Sequence, residues 1–176
     1  LQSEGWYLRQ DIIWAKPNPM PESVKDRCTK SHEYIFLLTK SASYYYDNEA
    51  VKEEASGLRG GVPLKIQHSR HGDAGLSNGW EGSVTRNRRS VWSITTQPYK
   101  EAHFATFPEE IPRICIMAGS KAGDTILDPF NGAGTTGVVA EKLGRKYIGI
   151  ELNPQYTKLA DDRIYNVQPL FAGLEL

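Results

Sequence analysis

The sequence lacks the features that mark a secreted or membrane-spanning protein. Its 176 residues include only two cysteines, Cys28 and Cys115, too few for a disulfide framework and without the spacing of a metal site. It has no apolar run of about 18 residues and no visible signal peptide. We therefore expect a cytoplasmic protein with reduced thiols, without a bound metal and without a membrane partner.

An excess of charge of one sign is also missing, because 21 Lys and Arg residues balance 21 Asp and Glu residues. The distribution is uneven, however: between Gly57 and Lys100 there are seven basic residues and two acidic ones. Periodic apolar patterning is absent from residues 48–82, which are rich in glycine. Two interpretations stay open for this irregular insertion, a nucleic-acid surface and a solvated linker.

The segment 125–153 has the most regular pattern in the chain. Thr125 begins a short apolar strand, and Asp128 and Pro129 end it because proline cannot donate to a strand ladder. A glycine loop follows, and Thr135 and Thr136 are candidate caps of a helix that ends near residue 143. A second buried strand covers residues 147–150 and ends at an acid.

This strand, loop, helix and strand unit predicts a nucleoside cofactor site. Ligands of open α/β sheets bind beyond the carboxyl ends of the strands. Glu151 follows Gly132 by 19 residues, a spacing at which an acid can accept hydrogen bonds from ribose hydroxyls. The loop does not have the Gly-x-Gly-x-x-Gly form of dinucleotide sites, so a cofactor with few phosphates fits better than NAD.

The rest of the chain adds strands at 5–16, 32–39 and 91–94 and helices at 109–118 and 153–164. Residues 32–39 are almost continuously apolar, which predicts a central strand. The connection after residue 16 contains three prolines in five residues and predicts a stiff, extended loop. Together these elements indicate an α/β domain.

The segments DPFNGAGTT and YIGIELNPQY resemble the S-adenosylmethionine motifs of DNA amino-methyltransferases, the N4-cytosine and N6-adenine group. The resemblance extends to GWYLRQDIIWAKPNPMPESVKDR, RNRRSVWSI and HFATFPEEIP, in the order of the subtype with the catalytic motif first and the cofactor loop last. It implies an S-adenosylmethionine-dependent methyltransferase fold, which is Rossmann-like, and double-stranded DNA as the partner. The host would be a bacterium or a phage-infected cell, with a restriction-modification or phage role.

By position, the resemblance assigns the cofactor to two groups of residues. The loop and the acid beyond it would hold the methionine part and the ribose, and the segment before the helix at 109–118 would border the adenine. The residues concerned are Phe104, Phe107, Pro108, Asp128, Pro129, Phe130, Gly132, Gly134, Thr135, Thr136, Glu151 and Asn153.

For DNA, the expected contacts are Lys16 and Asn18 in the proline loop and the arginine cluster Arg86, Arg88 and Arg89. Arginines can clamp phosphates or read guanine with two hydrogen bonds, although such a cluster is often only a solvated face. We expect three parts: residues 1–47 as late strands of the sheet, 48–100 as the target-recognition insertion and 101–176 as the cofactor-binding part.

The family's catalytic tetrad, Asp-Pro-Pro-Tyr or Ser-Pro-Pro-Tyr, does not occur in this sequence. The resemblance places it upstream of Gly5, so we expect no catalytic residue here and an incomplete fold. An open sheet centre would expose strand edges and favour a homodimer or strand exchange. A catalytically dead fragment that only binds cofactor or DNA is the alternative, and a nicotinamide enzyme is a lesser one. The methylated base, adenine or cytosine, stays open, with an inclination toward N4-cytosine.

Overall fold

The computed structural model describes residues 1–55, 85–97 and 107–167, and the backbone strands at 58–59 and 62–63. The elements, after a 3-10 helix at Gln2–Glu4, are β1 (Tyr7–Ala15), β2 (His32–Thr39), β3 (Glu53–Glu54), β4 (Leu58–Arg59), β5 (Val62–Pro63), β6 (Thr85–Arg86), β7 (Val91–Ser93), α1 (Glu110–Gly119), β8 (Thr125–Asp128), α2 (Thr135–Lys142), β9 (Lys146–Gly149) and α3 (Pro154–Tyr165). The fold is α/β, as predicted.

β1 is the middle strand of a three-stranded sheet in the order β2-β1-β7. β2 runs antiparallel to β1 and pairs Ile35 with Ile12, whereas β7 runs parallel and pairs Trp92 with Trp14. The prediction that β2 is central is wrong for the described part of the chain, where β2 forms the sheet edge. Its apolar run reflects an uncovered face, since Phe36 is 56% exposed.

α1 covers one face of this sheet. Ile12 and Trp92 pack with Ile114 and Ala118 of α1 and with Val51 in one buried cluster. These α1 residues lie four positions apart and therefore face the same side of the helix. The sheet and α1 thus form one two-layer unit.

The predicted cofactor segment forms a second unit of two parallel strands and a helix. β8 pairs with β9, and the side chains Ile126 and Tyr147 pack against Val139 and Ala140 of α2. Ile116 of α1 belongs to the same cluster, so α1 contributes to both cores.

The opposite face of β8 and β9 is open to solvent. Leu127 and Ile148 pair with each other and alternate with the buried side chains, and they are 59% and 53% exposed. The predicted homodimer or strand exchange, which would use strand edges rather than this face, stays a prediction.

α2 and α3 are bounded by local capping interactions. Asn153 caps α3, with its side-chain oxygen accepting from Gln155 N at 3.0 Å. Gly144 follows α2 in the left-handed conformation (φ +68°) that commonly ends helices. The prediction that Thr135 or Thr136 caps α2 is wrong: Gly134 is the cap, and both threonines lie in the first turn. No helix in the described ranges is long and apolar enough to cross a membrane.

Candidate cofactor-binding site

The turn after β8 is fixed by the carboxylate that ends the strand. Asp128 Oδ1 accepts a hydrogen bond from Phe130 N at 3.0 Å, which closes a tight turn through Pro129. Strand pairing continues beyond it, since Ile150 N donates to Asp128 O at 2.9 Å and Asn131 N donates to Ile150 O at 3.0 Å. Phe130 projects from this turn and is 89% exposed. The carboxyl ends of β8 and β9 therefore present one shared edge.

The loop reaches α2 through two glycines with left-handed backbone. Gly132 has φ +52° and Gly134 has φ +75°, a region that residues with a Cβ adopt at a cost. Gly134 N donates to Asn131 O at 2.9 Å, and Gly134 O accepts from Val138 N at 2.9 Å as the first bond of α2. Glycine is required at 134 for a second reason, since a Cβ there would lie 2.7 Å from the Ala160 Cβ.

Glu151 stands beyond β9 and is held by the loop. Its Oε2 accepts from Gly132 N at 2.8 Å, and its Oε1 accepts from Asn153 N at 2.8 Å. These backbone donors, Asn153 first, lower the pKa of the Glu151 carboxyl. The carboxylate is thus ionised at neutral pH. Because each oxygen can accept more than one hydrogen bond, it can also take hydroxyl donors from a ligand.

Two of the residues predicted to border the adenine, Phe107 and Pro108, lie just before α1, and their contact with a cofactor stays a prediction. Phe107 lines an apolar cavity of about 350 Å³ together with Thr136 of α2 and Ile126 of β8. Pro108 is buried beside it, and its carbonyl accepts from Ile111 N at 3.1 Å in the turn that starts α1. Phe104 lies outside the described residues. The segment before α1 and the start of α2 therefore border one apolar space.

A second layer of side chains supports the loop, and sequence reasoning did not identify it as part of the site. The Tyr147 hydroxyl donates to Asn131 Oδ1, and Arg163 of α3 donates to the Ala133 carbonyl. Burial, followed by the nearby Asp128 charge, raises the pKa of Tyr147, so its hydroxyl keeps the proton that it donates. A sequence signal for Arg163 is its place three residues after Ala160, which puts both on one side of α3.

The three arginines predicted to bind DNA are ordered by partners within the chain. Arg86 and Arg89 both donate to Glu53 Oε1, at 2.9 and 2.6 Å, and Arg88 donates to the Val51 carbonyl at 2.9 Å. Burial alone would raise the pKa of Glu53, but the hydrogen bonds from Arg89 and Arg86 outweigh it and lower this pKa. The arginines are thus held in place, and their contact with DNA stays a prediction.

The two predicted DNA contacts in the proline loop also have local roles. Lys16 forms an ion pair with Glu33 and lies 4.5 Å from the centre of the Trp14 ring. Asn18 Oδ1 accepts from Thr96 N at 3.0 Å, which ties the proline loop to the segment after β7. Among the described residues, no cluster of three or more His, Cys, Asp or Glu side chains could hold a metal ion.

Comparison with known proteins gives concordant matches. The sequence profile of a family described as DNA methylase, in its N6/N4 methyltransferase group, matches residues 1–162. The type II methyltransferase M.Cfr9I of Citrobacter freundii is 52% identical over 164 residues, which are 93% of this chain and 46% of the relative. The chain spans about half the length of the curated relatives it matches.

Solved structures give the same fold. The PvuII DNA methyltransferase, described as cytosine-N4-specific, superposes with a TM-score of 0.66 at 21% identity, over 90% of this chain and 51% of that one. The M1.HpyAVI complex with S-adenosylmethionine superposes with a TM-score of 0.60 at 22% identity, over 93% of this chain and 65% of that one. At these identities the likeness concerns the fold alone.

Proposed function

Because the chain belongs to the DNA methylase family, we propose that it forms the S-adenosylmethionine-binding part of an enzyme that methylates an exocyclic amino group in DNA. The amino group would be N4 of cytosine or N6 of adenine. The partner would be double-stranded DNA in the cytoplasm of a bacterial or phage-infected cell.

The observation that carries this proposal is the fixed carboxylate at the end of β9. Glu151 is held by the amides of Gly132 and Asn153 and is kept ionised by them. A carboxylate held in this way accepts from two neighbouring hydroxyls without rearrangement, which suits the ribose of a nucleoside. It would repel only a phosphate carried on those hydroxyls. The preference for S-adenosylmethionine over a dinucleotide rests instead on the loop at 131–134, which lacks the Gly-x-Gly-x-x-Gly form.

The surrounding residues fit the other parts of the cofactor. The Asp128 carboxylate lies at the end of β8 and can accept from the ammonium of the methionine part. The apolar cavity beside Phe107 and Thr136 suits the flat adenine ring. S-adenosylmethionine supplies an activated sulfonium methyl group, so the protein needs to position the reactants more than to provide a strong base.

The basic side chains support the choice of DNA as substrate. Arg89 is 65% exposed while its guanidinium stays fixed on Glu53, so it can meet a phosphate without losing much side-chain freedom. Lys16 and Asn18 in the proline loop, with Arg86 and Arg88, would complete the DNA face. The target base would have to leave the duplex to reach the methyl group. We propose residues 48–100 as the target-recognition insertion between the strands at 1–47 and the cofactor part at 101–176.

A chimera tests this proposal within a complete enzyme. The 164 residues of this chain that align with M.Cfr9I, at 52% identity, would replace the matching segment of that enzyme. Mass spectrometry of nucleosides from treated DNA should then detect the same methylated base that M.Cfr9I produces. Glu151→Gln should abolish the product, because Glu151 accepts a hydrogen bond from the loop amide of Gly132. Glu141→Gln is the matched control: Glu141 borders the same polar cavity, and the loop amide of Gly132 donates to Glu151 instead, so this variant should keep the product. A folded chimera that fails to bind S-adenosylmethionine would refute the proposal.

A further inference from the structure

α3 packs directly against the glycine loop that would hold the proposed cofactor. Ala160 is fully buried, and a Cβ added at Gly134 would come within 2.7 Å of its Cβ and 3.0 Å of its Cα. One turn farther on, a Cβ added at Gly137 would lie 2.5 Å from Ile164 Cδ1. The two glycines therefore let α2 and α3 approach closely, which places α3 in direct contact with the loop.

Arg163 adds polar bonds to this contact, one on each side of Gly134. Its Nη1 donates to the carbonyl oxygen of Ala133 and lies 3.3 Å from the hydroxyl oxygen of Thr135. Ala133 and Thr135 are 3% and 7% exposed, so the bonds are shielded from water. Hydrogen bonds from a charged donor are stronger than neutral ones, and a low local dielectric strengthens them further.

Holding the Ala133 carbonyl has a consequence for the next amide. A peptide unit is planar and its carbonyl and N–H point in opposite directions, so fixing Ala133 O also fixes the direction of Gly134 N–H. That amide donates to Asn131 O and closes the loop. Without Arg163, the peptide before a glycine could rotate and change the shape of the loop.

We propose that Arg163 is a positioning residue for the cofactor: it holds the backbone of residues 131–135 in the form that receives S-adenosylmethionine. The inference rests on the proposed function for the identity of the ligand. Its structural part, the ordering of the loop, stands on the contacts of Arg163 alone.

Arg145 provides a matched control at the other end of α2. It donates to Leu143 O at 2.6 Å and to Ser120 O at 2.9 Å, and its Nε lies 3.3 Å from Ser120 Oγ. Arg145→Met therefore removes at least as many hydrogen bonds to partly buried acceptors as Arg163→Met does, but away from the glycine loop. Comparison of the two variants separates loss of stability from loss of loop geometry.

The test measures S-adenosylmethionine affinity by calorimetry and loop order by amide hydrogen exchange without cofactor. Arg163→Met should weaken affinity about tenfold or more, equivalent to about 1.4 kcal/mol. It should also speed exchange at residues 132–136, and Arg163→Lys should restore part of both. Arg145→Met should lower the melting temperature and leave both loop readouts unchanged.

Two results would overturn the inference. One is unchanged loop exchange in Arg163→Met, and the other is an equal loss of affinity in both methionine variants at temperatures where each is folded. If the unmodified chain binds no S-adenosylmethionine, the proposed function fails and with it the assignment of the ligand. Hydrogen exchange then still decides whether Arg163 orders the loop.

Discussion

Replacing Gly134 by alanine tests the close approach of α3 to the cofactor loop. The substitution adds a Cβ in left-handed backbone (φ +75°), which costs about 1–2 kcal/mol for a residue other than glycine. The new Cβ would also lie 2.7 Å from the Ala160 Cβ, well inside the ordinary carbon–carbon distance of about 3.5–4.0 Å. Overpacking of this kind costs about 1–3 kcal/mol, so we expect a total loss of about 2–5 kcal/mol in the free energy of unfolding.

Gly144→Ala separates the two contributions. Gly144 has a similar φ of +68°, but nothing lies within 4 Å of an added Cβ, so this variant should lose only the backbone part, about 1–2 kcal/mol. Urea denaturation followed by circular dichroism measures both losses. Adding Ala160→Gly to Gly134→Ala should recover stability relative to the sum of the single variants, because the overlapping methyl group is removed. Equal losses for Gly134→Ala and Gly144→Ala would refute the packing argument.

Three further predictions concern single side chains. Backbone donors lower the pKa of the Glu151 carboxyl from its ordinary value of 4.5. Its contribution to the free energy of unfolding is therefore present above pH 4.5 and is lost as the pH falls through the lowered pKa. Measurements of unfolding at a series of acidic pH values should show this loss in the wild type and not in Glu151→Gln. Glu53→Gln replaces a charged acceptor by a neutral one and so weakens hydrogen bonds such as that from Arg89. We expect a loss of about 1 kcal/mol in the free energy of unfolding at low salt, and a smaller loss at high salt because salt already screens these charges in the wild type. A loss that does not depend on salt would contradict this reason. Ile114→Ala should cost about 2–5 kcal/mol in urea denaturation, since Ile114 is 2% exposed, whereas Val24→Ala in the exposed loop should cost less than about 0.5 kcal/mol.

Local sequence signals predicted much of the secondary structure. The strand at 32–39 has the predicted bounds, and Asn153 caps α3 as the Asn-Pro pair suggests. These features depend on residues that are neighbours in sequence. The prediction for the α2 cap failed because the helix starts at Thr135, so that Gly134 holds the cap position and both threonines lie inside the first turn.

Contacts between distant residues were beyond the reach of the sequence pattern. Glu53 precedes Arg86 by 33 positions, and Arg163 follows Ala133 by 30, so no periodicity relates them. The prediction that β2 is a central strand was wrong for a similar reason. A continuous apolar run occurs both in strands buried on two faces and in strands with an uncovered apolar face. The loop and the acid could be recognised because one short segment contains both, whereas the side chains that hold the loop come from other elements.

Calorimetric titration of this chain with S-adenosylmethionine decides whether the loop and Glu151 form a cofactor site. We expect saturable binding of S-adenosylmethionine, no binding of NAD, and loss of the binding heat in Asp128→Ala and Glu151→Gln variants that remain folded. Absence of S-adenosylmethionine binding by the folded chain, or binding by either folded variant as tight as that of the unmodified chain, would contradict this assignment.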